Sequence, residues 1–273
     1  MLPSDDIIRH TTLSAMHTRM DVVISDISKV FFDEIIQFIS FELERIDLLI
    51  NRHRSDSHIS TINKNFPQFD SINPELFDLL NICSDYRKLL LNYFDITCIS
   101  KTKTLNKVHE ITLKQEYILS SNTHNLIKSS SDQIFDFGAI GKGYALDKIA
   151  YLLQTKGIEN YLISFGESSV LAMGHHPYGD CWKIALPHPE KPDQSLHEFE
   201  LLNQCLSTSR SVNGHIINPK TAEPFFSKRM VTVKDTNAAR AEAISTALIC
   251  ANEDEIPIIK NNFLESEIVI VVV

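Results

Sequence analysis

Asp136-Phe137-Gly138-Ala139-Ile140-Gly141-Lys142-Gly143-Tyr144-Ala145-Leu146-Asp147 joins an apolar stretch to an amphipathic one through three glycines and a lysine. A strand, a glycine turn and a helix in that order make a place for an anion. Glycines let backbone N–H groups approach a ligand with no Cβ in the way, and a helix start adds its positive end. Lys142 brings a matching charge. The spacing rules out a Walker A loop, which needs four residues between its first Gly and the Gly-Lys, then Ser or Thr. Asp136-Phe137-Gly138 is not a kinase metal motif either, since no G-x-G-x-x-G and no His-Arg-Asp accompany it. On these residues alone, a tight structural turn fits as well as a cradle.

Upstream, Val30 to Asn51 repeats apolar residues at three- and four-residue steps and predicts a long amphipathic helix. After the polar segment Arg52 to Asp70, Asn73-Pro74-Glu75 opens a second helix to about Leu91. These two helices are expected to precede the first strand of the site. Between Val108 and Ile134, pieces such as Ile111-Thr112-Leu113 and Tyr117-Ile118-Leu119 suggest hairpins.

Downstream, a helix is expected over Ala145 to Lys156, stopped by Gly157, and a strand over Asn160 to Phe165. Further strands fall at Trp182 to Leu186, Phe199 to Leu202 and Met230 to Lys234. A helix spans Asn237 to Ala251, and Ile268 to Val273 forms a wholly apolar last strand. Hairpins mixed with helices predict an α+β fold, in one domain over residues 1–273.

Two more groups carry chemistry. Glu242 and Thr246 stand four apart on the predicted helix, so they share a face and offer hard oxygens suited to Mg²⁺. The bland alternative is a solvated helix face. His215, in Gly214-His215-Ile216-Ile217-Asn218-Pro219-Lys220-Thr221, is a candidate general base before an Asn-Pro turn, or a structural histidine.

The formal charge of −9 over 273 residues argues against a nucleic-acid surface and requires local compensation for any anionic ligand. Five scattered cysteines without a C-x-x-C pair point to reduced thiols. No signal peptide and no run of transmembrane length is seen, so a cytoplasmic location is expected.

In this order the three groups resemble the ApbE family, the FAD:protein FMN transferases. The family's Asp-Leu-Gly-Gly-Ile-Ala-Lys-Gly-Tyr-Ala-x-Asp is similar to Asp136–Asp147, its His-Ile-x-Asp-Pro-x-Thr-Gly-x-Pro to 215–224, and its Asp-Ala-Leu-Ala-Thr-Ala-Leu to 242–248. Weaker echoes lie at Met16-His17-Thr18, Ser57 to Asn63, Phe94-Asp95-Ile96-Thr97, Thr208-Ser209 and Trp182. The resemblance implies an ApbE-like fold of mixed and antiparallel sheets packed with helices. It implies FAD held by Met16, Asp95, Gly138, Ala139, Ile140, Gly141, Lys142, Gly143, Tyr144, Thr208, Ser209 and His215, and Mg²⁺ held by Glu242, Thr246 and a carbonyl near Gly141. His215 would help deprotonate a threonine of an acceptor protein, which takes FMN as AMP leaves, and Lys142 would support the charge on the phosphoryl oxygens or merely pack its stem.

The chain departs from the pattern in places. Glu242 and Asn218 replace aspartates, and Asn218 removes a charge that would orient His215. His17, Leu91-Asn92 and Gly166-Glu167-Ser168-Ser169 stand where glycines or Gly-Gly-Asp are usual, which is expected to reshape or close the pocket. Two alternatives therefore stay open: a flavin-binding paralogue without transfer, and an FAD pyrophosphatase yielding FMN and AMP.

Overall fold

A computed structural model describes residues 8–98, 117–120, 123–166 and 168–272. Strands β1 (Arg9–Ala15) and β2 (Thr18–Ile24) form a hairpin that precedes every helix. This hairpin was not among the expected elements; the two expected helices, here Lys29–Ile50 and Pro74–Leu89, still precede the site loop at Asp136. The helices are α1 (Lys29–Ile50), α2 (His58–Lys64), α3 (Pro74–Leu89), α4 (Gly141–Thr155), α5 (Ala238–Cys250) and α6 (Ile256–Asn261). Short strands β3 (Gln68–Phe69), β4 (Tyr117–Ser120) and β5 (Asn125–Lys128) make a small sheet in the order β3-β5-β4. Residues 111–113, expected in a hairpin, lie outside the described residues.

The main sheet adds β6 (Tyr161–Phe165), β7 (Ser169–Met173), β10 (Gln204–Ser211), β13 (Ser227–Asp235) and β14 (Glu267–Val272). Its order is β1-β2-β6-β7-β10-β13-β14, antiparallel throughout. A hairpin of β8 (Trp182–His188) and β9 (Lys191–Leu201) stands apart, as does the short pair β11 (Ile217–Asn218) and β12 (Glu223–Pro224).

The two-residue period of a strand assigns the sheet's faces. Leu171, Cys205 and Val231 enter the large core with the helices, while their neighbours Ala172, Leu206 and Met230 pack under Trp182, Leu186, Phe199 and Leu201 of the β8–β9 hairpin. The result is helices, sheet and hairpin in three layers.

Local chemistry sets the helix ends. Ser28 accepts from the Phe31 N–H ahead of α1, and Asn73 from Glu75 and Leu76 ahead of α3, with Pro74 in the first turn. α1 buries Phe32, Ile35, Ile39, Leu43, Ile46 and Leu49 as its periodicity predicts. α4, however, begins at Gly141 and not at Ala145, which takes Lys142 and Gly143 into its first turn. A Cβ on Gly143 would lie 2.2 Å from the Ala238 carbonyl oxygen, so this glycine is where α4 crosses the start of α5.

Alanine in a helix ordinarily gains about 1 kcal/mol over glycine. At this crossing the overlap is with backbone, which cannot rotate away, and overpacking of that kind costs about 1–3 kcal/mol. Gly143→Ala is expected to lower urea-unfolding stability; equal or higher stability would show that the crossing does not need the missing side chain.

Candidate functional site

The open end of the sheet holds a cavity of about 590 Å³. Its walls come from the loop before α4 (Gly138, Ala139, Lys142), from α5 (Glu242, Thr246), from β10 (Ser207 to Arg210) and from the turn carrying His215. Phe94-Asp95, which follow α3, close another side. Replacement of glycines at 17, 91 and 92 has not closed it.

The loop is fastened by its own chain. Asn63 accepts from the Phe135 N–H (2.8 Å) and donates to the Phe135 carbonyl (2.9 Å), fixing the backbone that leads into the motif. Ser57 caps α2 by accepting from Ser60, which holds the helix that carries Asn63. Asp136 accepts from the Gly138 N–H at 2.9 Å and pairs with Arg52 at 2.8 Å.

Loop amides expected to face an anion are mostly engaged within the protein. The Ile140 and Gly141 N–H groups donate to the Phe137 carbonyl, at 3.0 and 2.7 Å, and the Gly143 N–H donates to Glu242 at 2.7 Å. Ile140 is fully buried in the core, Gly141 packs near Ile50, and the Tyr144 hydroxyl donates to Glu75 at 2.5 Å. None of these four lines the cavity; each is engaged within the protein. Met16 is elsewhere too, lining a separate cavity of about 340 Å³ with Ser40, Glu44 and Asp47.

Glu242 is the centre of the site. Its side chain is only 4% exposed, which removes the reading as a solvated helix face. One oxygen accepts from the Lys142 ammonium and the other from Gly143. The Thr246 hydroxyl lies 3.3 Å from that of Ser209, and Ser209 and Ser207 both bond Ser245, at 2.9 and 3.1 Å. Glu242, Thr246 and Ser209 thus present hard oxygens on one wall.

Among the described residues no three His, Cys, Asp or Glu side chains gather as a self-sufficient metal cage. One buried carboxylate plus hydroxyls instead suits Mg²⁺, which takes few protein ligands and completes its octahedron with phosphate oxygens and water. Gly141, expected to contribute a carbonyl, does not line the cavity.

His215 is exposed at the rim. Asn218 does not orient it: the Asn218 side chain accepts from the Lys220 N–H at 2.9 Å, and its carbonyl from Thr221 and Ala222. This closes the turn, and Lys220 then bonds Glu255 and lies 3.8 Å over the Tyr93 ring. Asp95 is also an organiser, accepting from the Thr97 N–H (2.8 Å) and hydroxyl (2.7 Å) while facing Arg87 at 3.4 Å. Thr208 faces Thr232 at 3.0 Å.

Sequence reasoning missed Arg210 and Tyr93 in the lining. Arg210 follows Thr208-Ser209 directly, and a charge inside a strand that carries site residues was the signal available.

Together these features define a class: an α+β protein with an antiparallel sheet and, beside β10, a pocket lined by paired charges and hydroxyls. The ApbE family model matches residues 16–270, and the chain belongs to that family. It is similar to the FAD:protein FMN transferase of Buchnera aphidicola subsp. Baizongia pistaciae, 30% identical over 73% of this chain and 67% of that one. The enzyme of that name from Vibrio cholerae serotype O1 is 29% identical over 55% of this chain and 48% of its own length, so that match spans about half of the relative.

Among solved structures, the apo form of Pseudomonas stutzeri flavinyl transferase ApbE superposes with a TM-score of 0.84 at 21% identity, covering 100% of this chain and 93% of that one. Flavin Transferase ApbE from Vibrio cholerae gives 0.83 at 19% identity, covering 98% and 94%. These likenesses carry the fold.

The last motif residue, Asp147, accepts from the first amides of α5, Ala238 at 2.7 Å and Ala239 at 2.9 Å. Burial pushes its carboxyl up from 3.8 to about 6, against the downward pull of those two bonds. A raised carboxyl holds its proton more tightly folded than unfolded, so its contribution to stability is full below the unfolded value and is lost as pH rises through about 6. Asp147→Asn should remove this dependence. The stability of wild type relative to the variant should fall by about 2 kcal/mol between roughly pH 4 and pH 7 in urea titrations; a constant difference would contradict the assignment.

Proposed function

We propose that this chain transfers FMN from FAD to the hydroxyl of a threonine in a partner protein, releasing AMP, with Mg²⁺ held by Glu242 and Thr246. The observation that carries this reading is the convergence of Lys142, Ser209, His215, Glu242 and Thr246 on one cavity, in a chain matched by its family over residues 16–270.

The chemistry asks little covalent work of the protein. The threonine oxygen forms a bond to the FMN-side phosphorus, and the bond from that phosphorus to the bridging oxygen breaks. AMP keeps the bridging oxygen, and the threonine proton passes to a ring nitrogen of His215. The exposure of His215 in the cavity lining, where an incoming protein can reach it, supports this role. Mg²⁺, when bound, supplies positive charge to the phosphoryl oxygens. Lys142 neutralises the Glu242 carboxylate and so keeps a buried charge paired inside the pocket.

Incubation with FAD, Mg²⁺ and a threonine-bearing acceptor peptide is expected to give a covalently fluorescent peptide and free AMP, and EDTA to abolish both. AMP without labelled peptide would replace transfer by FAD hydrolysis. Bound flavin with neither product would leave a binding protein. Glu242→Gln keeps an acceptor for the Gly143 amide and removes the charge, so labelling should fall about a hundredfold, the scale of losing one electrostatic contact in an active site. Undiminished labelling would take Glu242 out of the metal set.

A further inference from the structure

The cavity has a second charged wall that the proposed mechanism does not use. Along β10 the Ser207 and Ser209 hydroxyls reach α5, so the two-residue period turns Thr208 and Arg210 to the other face of the sheet. Thr208 meets Thr232 there, and Arg210 is part of the cavity lining. The pairing of β10 with β13 shifts register between Arg210 and Ser211, and a bulge at this point re-aims the side chains beside it.

The other charges of the cavity are matched. Lys142 pairs with Glu242, Asp136 with Arg52 at 2.8 Å, and Asp95 faces Arg87 at 3.4 Å. The Arg210 Nε is buried and has no hydrogen-bond partner among the described residues. Gly166, Ser168 and Thr208, which also line the cavity, carry no charge. A buried Nε without an acceptor, on a guanidinium that lines the cavity, leaves a donor for a ligand, and the planar group fits the oxygens of a phosphate. The loop before α4 leaves room for such a donor: with the Gly138, Ile140, Gly141 and Gly143 amides bonded internally, side chains take a larger share in meeting a diphosphate, beside the charge a bound Mg²⁺ would supply.

We propose that Arg210 is the cavity's second anion anchor, binding phosphate oxygens of the dinucleotide held in the cavity that Glu242 also lines. This rests on the flavin reading above. It assigns Arg210 to recognition of the phosphates and not of the flavin ring.

Dissociation constants of wild type, Arg210→Gln and Arg210→Lys separate the possibilities, using FAD and riboflavin by flavin fluorescence and ADP by calorimetry. Arg210→Gln should weaken FAD and ADP about tenfold or more, the scale of a charged hydrogen bond, and leave riboflavin, which has no phosphate, unchanged. Arg210→Lys should recover part of the loss, since it restores charge without the fork. Unchanged FAD and ADP binding overturns the assignment, and so does equal weakening of riboflavin and FAD, which would mark a change of pocket shape. Should wild type bind neither FAD nor ADP, the flavin reading itself fails and takes this one with it. Undiminished FAD binding in Arg210→Gln sinks Arg210 alone.

Discussion

The Glu242 carboxylate, held between the Lys142 ammonium and the Gly143 amide, is the interaction on which the site depends. A carboxylate this buried is stable only when its charge and lone pairs are matched, and removing one partner of such a pair costs about 3–5 kcal/mol. Its donors come from the first turn of α4, so they reach it only where α4 crosses α5. The crossing is reciprocal. Glu242 of α5 sits on an early amide of α4, while Asp147 of α4 sits on the first two amides of α5. Each helix thus places a carboxylate at the positive end of the other, where negative charge is favoured. Gly143 and Asp147 are four apart and share one face of α4, which is the face turned to α5.

This exchange changes what the glycine loop is for. Its residues suggest a cradle of amides, but the amides of Gly138, Ile140, Gly141 and Gly143 are bonded to protein acceptors. Gly143 serves close helix packing instead of ligand approach. The loop therefore acts one step back from the ligand. It fixes Lys142 and Glu242, and these, with Thr246, Ser209 and Arg210, form the surface that a ligand meets. On the proposed reading, a chain of formal charge −9 would meet a polyanion through a few cations gathered locally.

Legibility of the fold in the sequence followed how each element buries itself. α1 and α3 are legible because an apolar stripe and a capping Ser or Asn both mark them, and α5 because an alanine-rich run follows the capping Asn237. β1 escaped because it is an edge strand whose residues alternate only between half-buried and exposed, leaving no apolar run to notice. β10, Gln-Cys-Leu-Ser-Thr-Ser-Arg-Ser, has the composition of a turn, yet its hydroxyls are satisfied by Ser245, Thr232 and Thr246, partners distant in sequence. α2 hid in a polar segment because it buries only Ile59, Ser60 and Ile62. In the site, Glu242 and Thr246 were legible by helical spacing. The engaged loop amides were not, because their acceptors depend on a helix crossing that local sequence does not encode.

The lost glycines show the same separation of sequence from backbone. Met16 and His17 both keep positive φ, 47° and 60°, because the register pairs Ala15 with Thr18 and leaves a two-residue turn that demands it. At the end of α3 the Leu91 N–H donates to the Lys88 carbonyl and the Asn92 N–H to that of Arg87, with φ of 52° and 63°. That is the hydrogen-bond pattern of a glycine-terminated helix with leucine in the glycine's place. A side chain in this region costs roughly 1–2 kcal/mol per residue, less for Asn, and the surrounding pairing holds the geometry despite the cost. α3 consequently still ends where it must for Tyr93, Phe94 and Asp95 to reach the cavity. Backbone geometry at these sites is set by hydrogen-bond register, so the substitutions leave the pocket's frame in place. What distinguishes this pocket then lies in the side chains that line it, Arg210 among them.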